Sequence, residues 1–271
     1  MKILKLKWLF ILSVLFALYS SAFAKTIVIK GSTTILPIVQ RAAEEYMHIH
    51  PDLNISVSGG GSGQGIKALL DKTTDIASSS RFVKQNEIKL AYKKGILLVP
   101  HWIAIDAVVP IVNPINPVDS LTLDQLKAIY IGKIKNWKEL GWKDKRIVII
   151  SRDSSSGTYE VWHKKVLKGA RVTPSALLQA SNGTVVQAVS KNKYAIGYIG
   201  FGYLNKSVKG LKVNGKEASI VNVRIGLYPI SRELFLFTNG WPKGDVKSFI
   251  HFLITPSGQK IVEEEKYIPL Y

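Results

Sequence analysis

Thr26-Ile27-Val28-Ile29-Lys30-Gly31-Ser32-Thr33-Thr34-Ile35-Leu36-Pro37-Ile38-Val39 is the stretch on which the fold turns. Its opening is rich in β-branched residues and ends at a glycine, which predicts a short strand over 26–30. Ser and Thr then break the run. From Ile35 apolar residues recur at 35, 38, 39, 42, 43, 46 and 47, the period of a helix with one buried face. Pro37 is tolerable because it lies in the first helical turn. Strand, Ser/Thr/Gly turn and helix follow one another, and the same succession recurs down the chain, the pattern of an α/β protein.

Working outward, a strand over 54–58 runs into Gly59-Gly60-Gly61-Ser62-Gly63-Gln64-Gly65, with a helix opening at 66–70. A third strand over 75–78 leads into Ser79-Ser80-Arg81 and a helix over 84–92. The apolar run 103–113 is long enough to pass from one lobe to another. A strand over 147–150 meets Ser151-Arg152-Asp153-Ser154-Ser155-Ser156-Gly157-Thr158, and a helix follows to Leu167. Further helices are expected over 123–130, 184–190, 246–254 and 258–265, strands over 195–199 and 234–238, and a hairpin turn at Asn214-Gly215.

The 271 residues suit one large domain or two lobes, and 46% hydrophobic content rules out a disordered chain. With no cysteine there is no disulfide framework and no thiolate metal site. The formal charge of +18 divides into parts. Residues 1–24 combine a basic start, an apolar run from Trp8 to Tyr19 and a small-x-small ending at Ala22 and Ala24, which reads as a signal peptide cleaved after Ala24. The run is too short to span a bilayer, and no cysteine near the cleavage point offers a lipid anchor. Cleavage would leave 247 residues and, with three lysines gone, a charge of +15. The remaining charge lies on scattered lysines, in runs no longer than pairs such as Lys93-Lys94 and Lys164-Lys165. No Arg/Lys stripe interleaved with aromatics marks a nucleic-acid surface, so nucleic acid is not an expected partner.

The recurring Ser/Thr/Gly turns carry the chemistry. Each sets backbone N–H groups and hydroxyls at the positive end of a helix, a setting that suits an anion. One such turn is an ordinary helix cap. Four of them, one with Arg152 four residues before Ser156, point to a shared oxyanion site in which one arginine supplies charge and neutral donors complete the shell. Enzyme motifs fit poorly. The glycine run lacks the Gly-Lys-Ser/Thr ending of a P-loop, since Lys67 follows Ile66, and Gly63-x-Gly65-x-x-Ala68 matches a dinucleotide fingerprint only loosely. No Gly-x-Ser-x-Gly elbow is present, and His48, His50, His101, His163 and His251 show no metal-ligand spacing. Glu263-Glu264-Glu265 reads as a solvated helix face. No cofactor, metal or catalytic residue is expected.

Taken together, the motifs resemble the phosphate-binding proteins of ABC phosphate importers, the PstS family. They are Gly31-Ser32-Thr33-Thr34-x-x-Pro37, the 59–67 loop, Asp75-Ile76-Ala77-Ser78-Ser79-Ser80-Arg81, Arg152-x-x-x-Ser156-Gly157-Thr158 and Ala195-Ile196-Gly197-Tyr198. Asn113-Pro114, Leu121-Thr122-Leu123-Asp124-Gln125-Leu126, Gly132-Lys133-Ile134-x-Asn136-Trp137, Lys212-Val213-Asn214-Gly215 and Pro256-Ser257-Gly258-Gln259 fall in the same order. The resemblance covers essentially the whole chain after residue 24. It implies a two-lobed α/β periplasmic-binding-protein fold, type II-like, with phosphate in the cleft between lobes joined by crossings near 106–109 and 228–232. Lobe 1 would be 25–107 plus 231–271, and lobe 2 would be 108–230. Carried over by position, the ligand contacts fall on Thr34, Ile35, Ser62, Ser80, Arg152, Ser156, Gly157 and Thr158, with Ser32 and Thr33 on the same turn.

The resemblance also implies a monomer in the periplasm that closes on phosphate and docks on the permease subunits of an ABC importer in the inner membrane. Many members carry an aspartate where this chain has Ser80, so rejection of sulfate or arsenate is not assured. Asp153 has two readings, an orienter of Arg152 or a helix-start carboxylate. Other classes stay open here: a binding protein for another oxyanion, or a phosphate-sensing surface protein of the same fold. A secreted phosphatase using one of the serines lacks an evident general base or metal set.

Overall fold

The structure, a computed structural model, describes residues 25–271; the expected leader 1–24 lies outside them. Strands β1 (Lys25–Gly31), β2 (Leu53–Ser58) and β3 (Ile76–Ser79) pair in parallel in the order β2-β1-β3. Helices α1 (Leu36–Ile49) and α2 (Ser62–Leu70) follow the first two strands, and α3 (Gln85–Lys93) follows the third. On α1 the expected stripe is the buried one: Ile38, Val39, Ala42, Ala43 and Tyr46 face the sheet, and Pro37 sits in the first turn. Burial of such side chains contributes roughly 1.5–3 kcal/mol each and holds the helix where propensity alone would not.

β4 (Leu98–Val112) is one unbroken strand of 15 residues that serves two neighbourhoods. From Leu98 to Ala107 it pairs antiparallel with β11 (Ser231–Asn239), which lies between β3 and β4. At Val108 it changes partner and pairs with β8 (Ala195–Gly200). β8 lies parallel to β6 (Val148–Arg152), and β6 parallel to β7 (Leu177–Gln179). Short pieces β5 (Ser120–Leu121), β9 (Lys209–Gly210) and β10 (Lys212–Val213) complete the strands. The Asn214-Gly215 turn after β10 has positive φ at both residues (51° and 74°), as a type I′ turn requires.

The second half carries α4 (Leu123–Tyr130), α5 (Gly157–Lys165), α6 (Asn182–Lys191) and α7 (Ile220–Arg224). The tail carries α8 (Gly244–Ile254) and α9 (Pro256–Glu264), both against the first half. Two main apolar cores result. One is built from Ile27, Ile29, the α1 stripe and Ile103, closed by Leu234, Leu236, Phe249 and Tyr267 from the tail. The other gathers Val108, Ile111, Tyr130, Trp137, Trp162 and Tyr198, with Trp162 stacked on Tyr198 at 4.3 Å. Among the described residues no helix is long and apolar enough to cross a membrane.

Candidate functional site

The Ser/Thr/Gly turns meet between the two cores. Thr33 and Thr34 stand at the head of α1, Ser62 opens α2, Ser80 ends the β3 turn, and Ser156, Gly157 and Thr158 start α5. Ser32, Thr34, Ile35, Ser62, Ser80, Arg152, Ser156 and Thr158 are each at most 2% exposed, and Thr33 is 7% exposed. Thr34 Oγ1 lies 3.0 Å from Thr158 Oγ1, and Ser62 Oγ lies 3.4 Å from Ser80 Oγ. Gly157 fits against the hydroxyls of Ser62 and Ser80, where any Cβ would collide with both oxygens. The N–H groups of Gly157 and Thr158 occupy the first turn of α5, where the helix itself supplies no carbonyl. Ile35 belongs to this group by its backbone alone, since its side chain is in the first core. Ser32 turns its hydroxyl to the Thr34 N–H at 3.2 Å, and Ser156 caps α5 by accepting from the Tyr159 N–H.

We expect Gly157→Ala to weaken ligand binding about 5- to 150-fold, the range for forcing a methyl into a packed contact. Titration of the variant measures this, and an unchanged affinity would show that the close approach is dispensable.

Arg152 ends β6, where Tyr198 holds its position: the phenol oxygen accepts from the Arg152 N–H at 3.2 Å and lies 2.9 Å from Ser151 Oγ. The guanidinium donates from Nε to the Gln179 carbonyl (3.0 Å). Nη2 donates to the Ala180 carbonyl (2.9 Å) and to Thr33 Oγ1 (3.4 Å). Nη1 is buried without a hydrogen-bond partner among the described residues. No carboxylate bonds to this side chain, and burial lowers its pKa, with Tyr198 and Asp153 acting against that shift. Asp153 closes the turn that leads into α5: Oδ1 accepts from the Ser155 N–H (2.9 Å) and hydroxyl (2.5 Å), no ion pair joins it to Arg152, and the acid in the first turn of α5 is Glu160.

Other polar residues complete the cluster and were not anticipated in it. Arg232 on β11 faces Asp106 on β4, the two being register partners. Nε and Nη2 donate to Asp106 Oδ2 at 2.9 and 2.7 Å, while Phe201 N–H donates to Oδ1 at 2.9 Å. Nη1 reaches Ser80 Oγ (3.3 Å) and Thr158 Oγ1 (3.1 Å), and Nη2 also reaches Thr34 Oγ1 (3.1 Å). Burial raises the Asp106 carboxyl above the ordinary range, with Arg232 and the Phe201 N–H drawing it back. Asn182, at the start of α6, donates to Thr33 Oγ1 (3.2 Å) and Thr34 Oγ1 (3.1 Å) and accepts from Gly200 N–H. A signal for one of these was present: Asp106 is the lone acid in the apolar run 103–113, and a carboxylate buried in a strand needs a partner.

Contacts between the two halves hold the cleft shut. Gly63 N–H donates to the Ser155 carbonyl (2.9 Å), Tyr203 OH to the Thr33 carbonyl (2.6 Å) and Lys165 Nζ to the Ser231 carbonyl (2.6 Å), while Lys84 pairs with Glu160. Within the first half, Tyr267 OH donates to the Thr34 carbonyl (2.5 Å). Burial pushes the Tyr203 phenol up to about 12, so it remains a donor at neutral pH. Gly60 and Gly61 take φ of 143° and 120°, which lets the 59–65 loop approach Ser155.

This geometry has relatives. Residues 19–257 match the model of the PBP superfamily domain. The phosphate-binding protein PstS of Bacillus subtilis is 36% identical over 250 residues, which cover 90% of this chain and 81% of its own. The chain belongs to the PstS family. Among solved structures, a substrate-binding protein of Clostridium perfringens with bound phosphate has a TM-score of 0.86 at 35% identity, covering 91% of this chain and 100% of that one. An ABC-type phosphate transport receptor of Vibrio cholerae has a TM-score of 0.73 at 33% identity, covering 89% and 99%. The two-lobed α/β architecture described above is therefore that of the PstS family and its superfamily.

Proposed function

We propose that this chain binds inorganic phosphate with high affinity between its lobes and delivers it to an ABC importer. The observation that carries this reading is Arg152: a buried guanidinium with no bonded carboxylate, whose Nη1 stands unpartnered beside hydroxyls and a helix start. A desolvated cation of that kind calls for an anion. Hydrogen bonds to a charged group contribute roughly 1.5–3 kcal/mol each, and closure strengthens them by excluding water. The relatives named for phosphate, one of them with phosphate bound, support the choice of ligand.

On this reading the ligand is held by Arg152, by hydroxyls among Ser32, Thr33, Ser62, Ser80, Ser156 and Thr158, with Thr34 acting through Thr158, and by backbone N–H groups of Ile35, Gly157 and Thr158. Lobe 1 comprises 25–107 and 231–271, and lobe 2 comprises 108–230. The memberships of the two cores support that division. The protein works as an exported monomer in the periplasm, with residues 1–24 as its leader, and its closed form docks on the permease subunits. Binding without turnover fits Asp106, the carboxylate buried beside the cleft: its oxygens are engaged by Arg232 and the Phe201 N–H, and no cleft serine donates to it.

Calorimetry of the mature protein with phosphate, sulfate and arsenate tests the proposal. Saturable phosphate binding at micromolar concentration or tighter is expected. Its absence overturns the reading, and a preference for sulfate or arsenate reassigns the ligand.

A further inference from the structure

The donors of Arg232 are all spent inside the protein. A guanidinium has five N–H donors. Here Nε donates to Asp106, Nη2 to Asp106 and Thr34, and Nη1 to Ser80 and Thr158. Arg232 therefore has nothing left to offer a ligand directly, in contrast to Arg152 with its unpartnered Nη1. Asn182 is equally committed, giving its amide hydrogens to Thr33 and Thr34 while its oxygen accepts from Gly200.

The effect falls on the hydroxyls. A hydroxyl has one proton and two lone pairs. Thr33 Oγ1 accepts from Arg152 and Asn182, and Thr34 Oγ1 from Arg232 and Asn182, so both are saturated as acceptors. The contact between Thr34 and Thr158 must then be donated by Thr34, and with Arg232 this saturates Thr158 as well. The Thr158 proton is left to point at the ligand. Ser80 Oγ accepts from Arg232 and Ser62 Oγ from the Ser80 N–H, and one of the two spends its proton on the other at 3.4 Å, which leaves the pair one donor and one acceptor for the cleft.

We propose that Arg232, with Asn182, is a positioning residue that fixes which cleft hydroxyls donate and so sets the ionisation state of the anion the cleft takes: the phosphate dianion in preference to the monoanion. The single proton of the dianion meets the one acceptor of the Ser62–Ser80 pair, whereas the second proton of the monoanion sets a donor against donors and removes an acceptor from them, so the dianion binds more tightly. This inference rests on the phosphate reading above and adds to it the form of the ligand and the agent of selection.

The charged and titratable groups facing Arg232 and the ring are Asp106 from β4, Arg152 from β6, Lys165 from the end of α5, Tyr198 from β8, Tyr203 beyond β8 and Tyr267 from the tail, with Asp153 behind Ser155. Burial keeps the three phenols above their ordinary range, so they hold their protons throughout neutral pH. Asp106 is the group able to imitate the expected effect, because burial raises its carboxyl. The experiment therefore carries a variant without that carboxylate.

Phosphate affinity is measured by calorimetry at several pH values on either side of the second ionisation of phosphate, in the native protein, in Asp106→Asn and in Asp106→Asn/Arg232→Met. The double variant leaves no unpaired carboxylate buried, and circular dichroism establishes that each variant is folded. The expected result is an affinity that falls about tenfold for each pH unit below that ionisation, with the same slope in Asp106→Asn and a flatter one in the double variant. Absence of phosphate binding by the native protein overturns the phosphate reading and this inference with it. Binding whose affinity is flat, or rises towards acid, overturns the inference and leaves the reading standing. A slope that disappears in Asp106→Asn assigns the effect to that carboxyl, and a slope as steep in the double variant as in its parent removes Arg232 from the role. Either result overturns the proposal.

Discussion

Arg152→Ala abolishes tight phosphate binding: the expected loss is about a hundredfold to ten-thousandfold. The side chain offers two N–H donors on Nη1, and hydrogen bonds to a charged group contribute roughly 1.5–3 kcal/mol each. No neighbouring cation can replace it, since every donor of Arg232 is engaged within the protein. The variant should fold, because Arg152 is tied to carbonyls and a hydroxyl and leaves no buried carboxylate behind. Thermal melting with and without phosphate separates the two effects. The native protein gains about 2.7 kcal/mol at a ligand concentration a hundred times Kd, and the variant gains almost nothing at the same concentration. Equal stabilisation of the two proteins would remove Arg152 from the site.

Arg232→Met is the second large effect, and it acts on the fold. Asp106 is fully buried, and the guanidinium is its paired cation. Removing one partner of such a pair costs about 3–5 kcal/mol, because the other charge remains in a medium that cannot solvate it. Adding Asp106→Asn returns much of the loss, since the amide that replaces the carboxylate carries no charge. Urea unfolding of the native protein, both single variants and the double variant gives the coupling as a thermodynamic cycle. Strictly additive losses would mean that the two residues do not depend on one another.

How much of this was legible depends on the range of the interaction that decides each element. The 123–130 helix was readable to the residue, because Thr122 accepts from the Gln125 N–H and Gln125 reaches back to the Thr122 N–H, a signal contained in four consecutive positions. Residues 151 and 152 read as loop, yet they finish β6. Their strand geometry depends on Tyr198, distant in sequence, and on pairing with β7. β7 was not anticipated at all: Leu177-Leu178-Gln179 shows no alternation, and both leucines are exposed. It matters to the site, because the carbonyls of Gln179 and Ala180 hold Arg152. The second helix was expected from residue 66 and begins at Ser62, the glycine run having concealed a first turn that forms against Gly31 and Ser155.

The turns that gather at the cleft were visible because each is local. The crossings near 106 and 232 are legible in the sequence only as passages of backbone. No spacing rule links Asp106 to Arg232 until β4 and β11 lie side by side in register. Hydroxyls, glycines and helix starts announce an anion site from sequence. The residues that orient those hydroxyls do so through partners supplied by other strands and helices.

The place of β11 between β3 and β4 bears on the order in which the molecule can assemble. A chain made from its N-terminus lays down β1, β2, β3 and the first half of β4 early, yet β3 and β4 share no ladder until residues from Ser231 onward arrive to bridge them. Until then both present open edges, the feature that invites pairing with other chains. The second core draws almost wholly on residues between Ala107 and Ile230 and needs little from the tail. The half that is translated in the middle is thus free to finish first, while the half that begins the chain waits for its end, a long-range closure of the kind that slows folding.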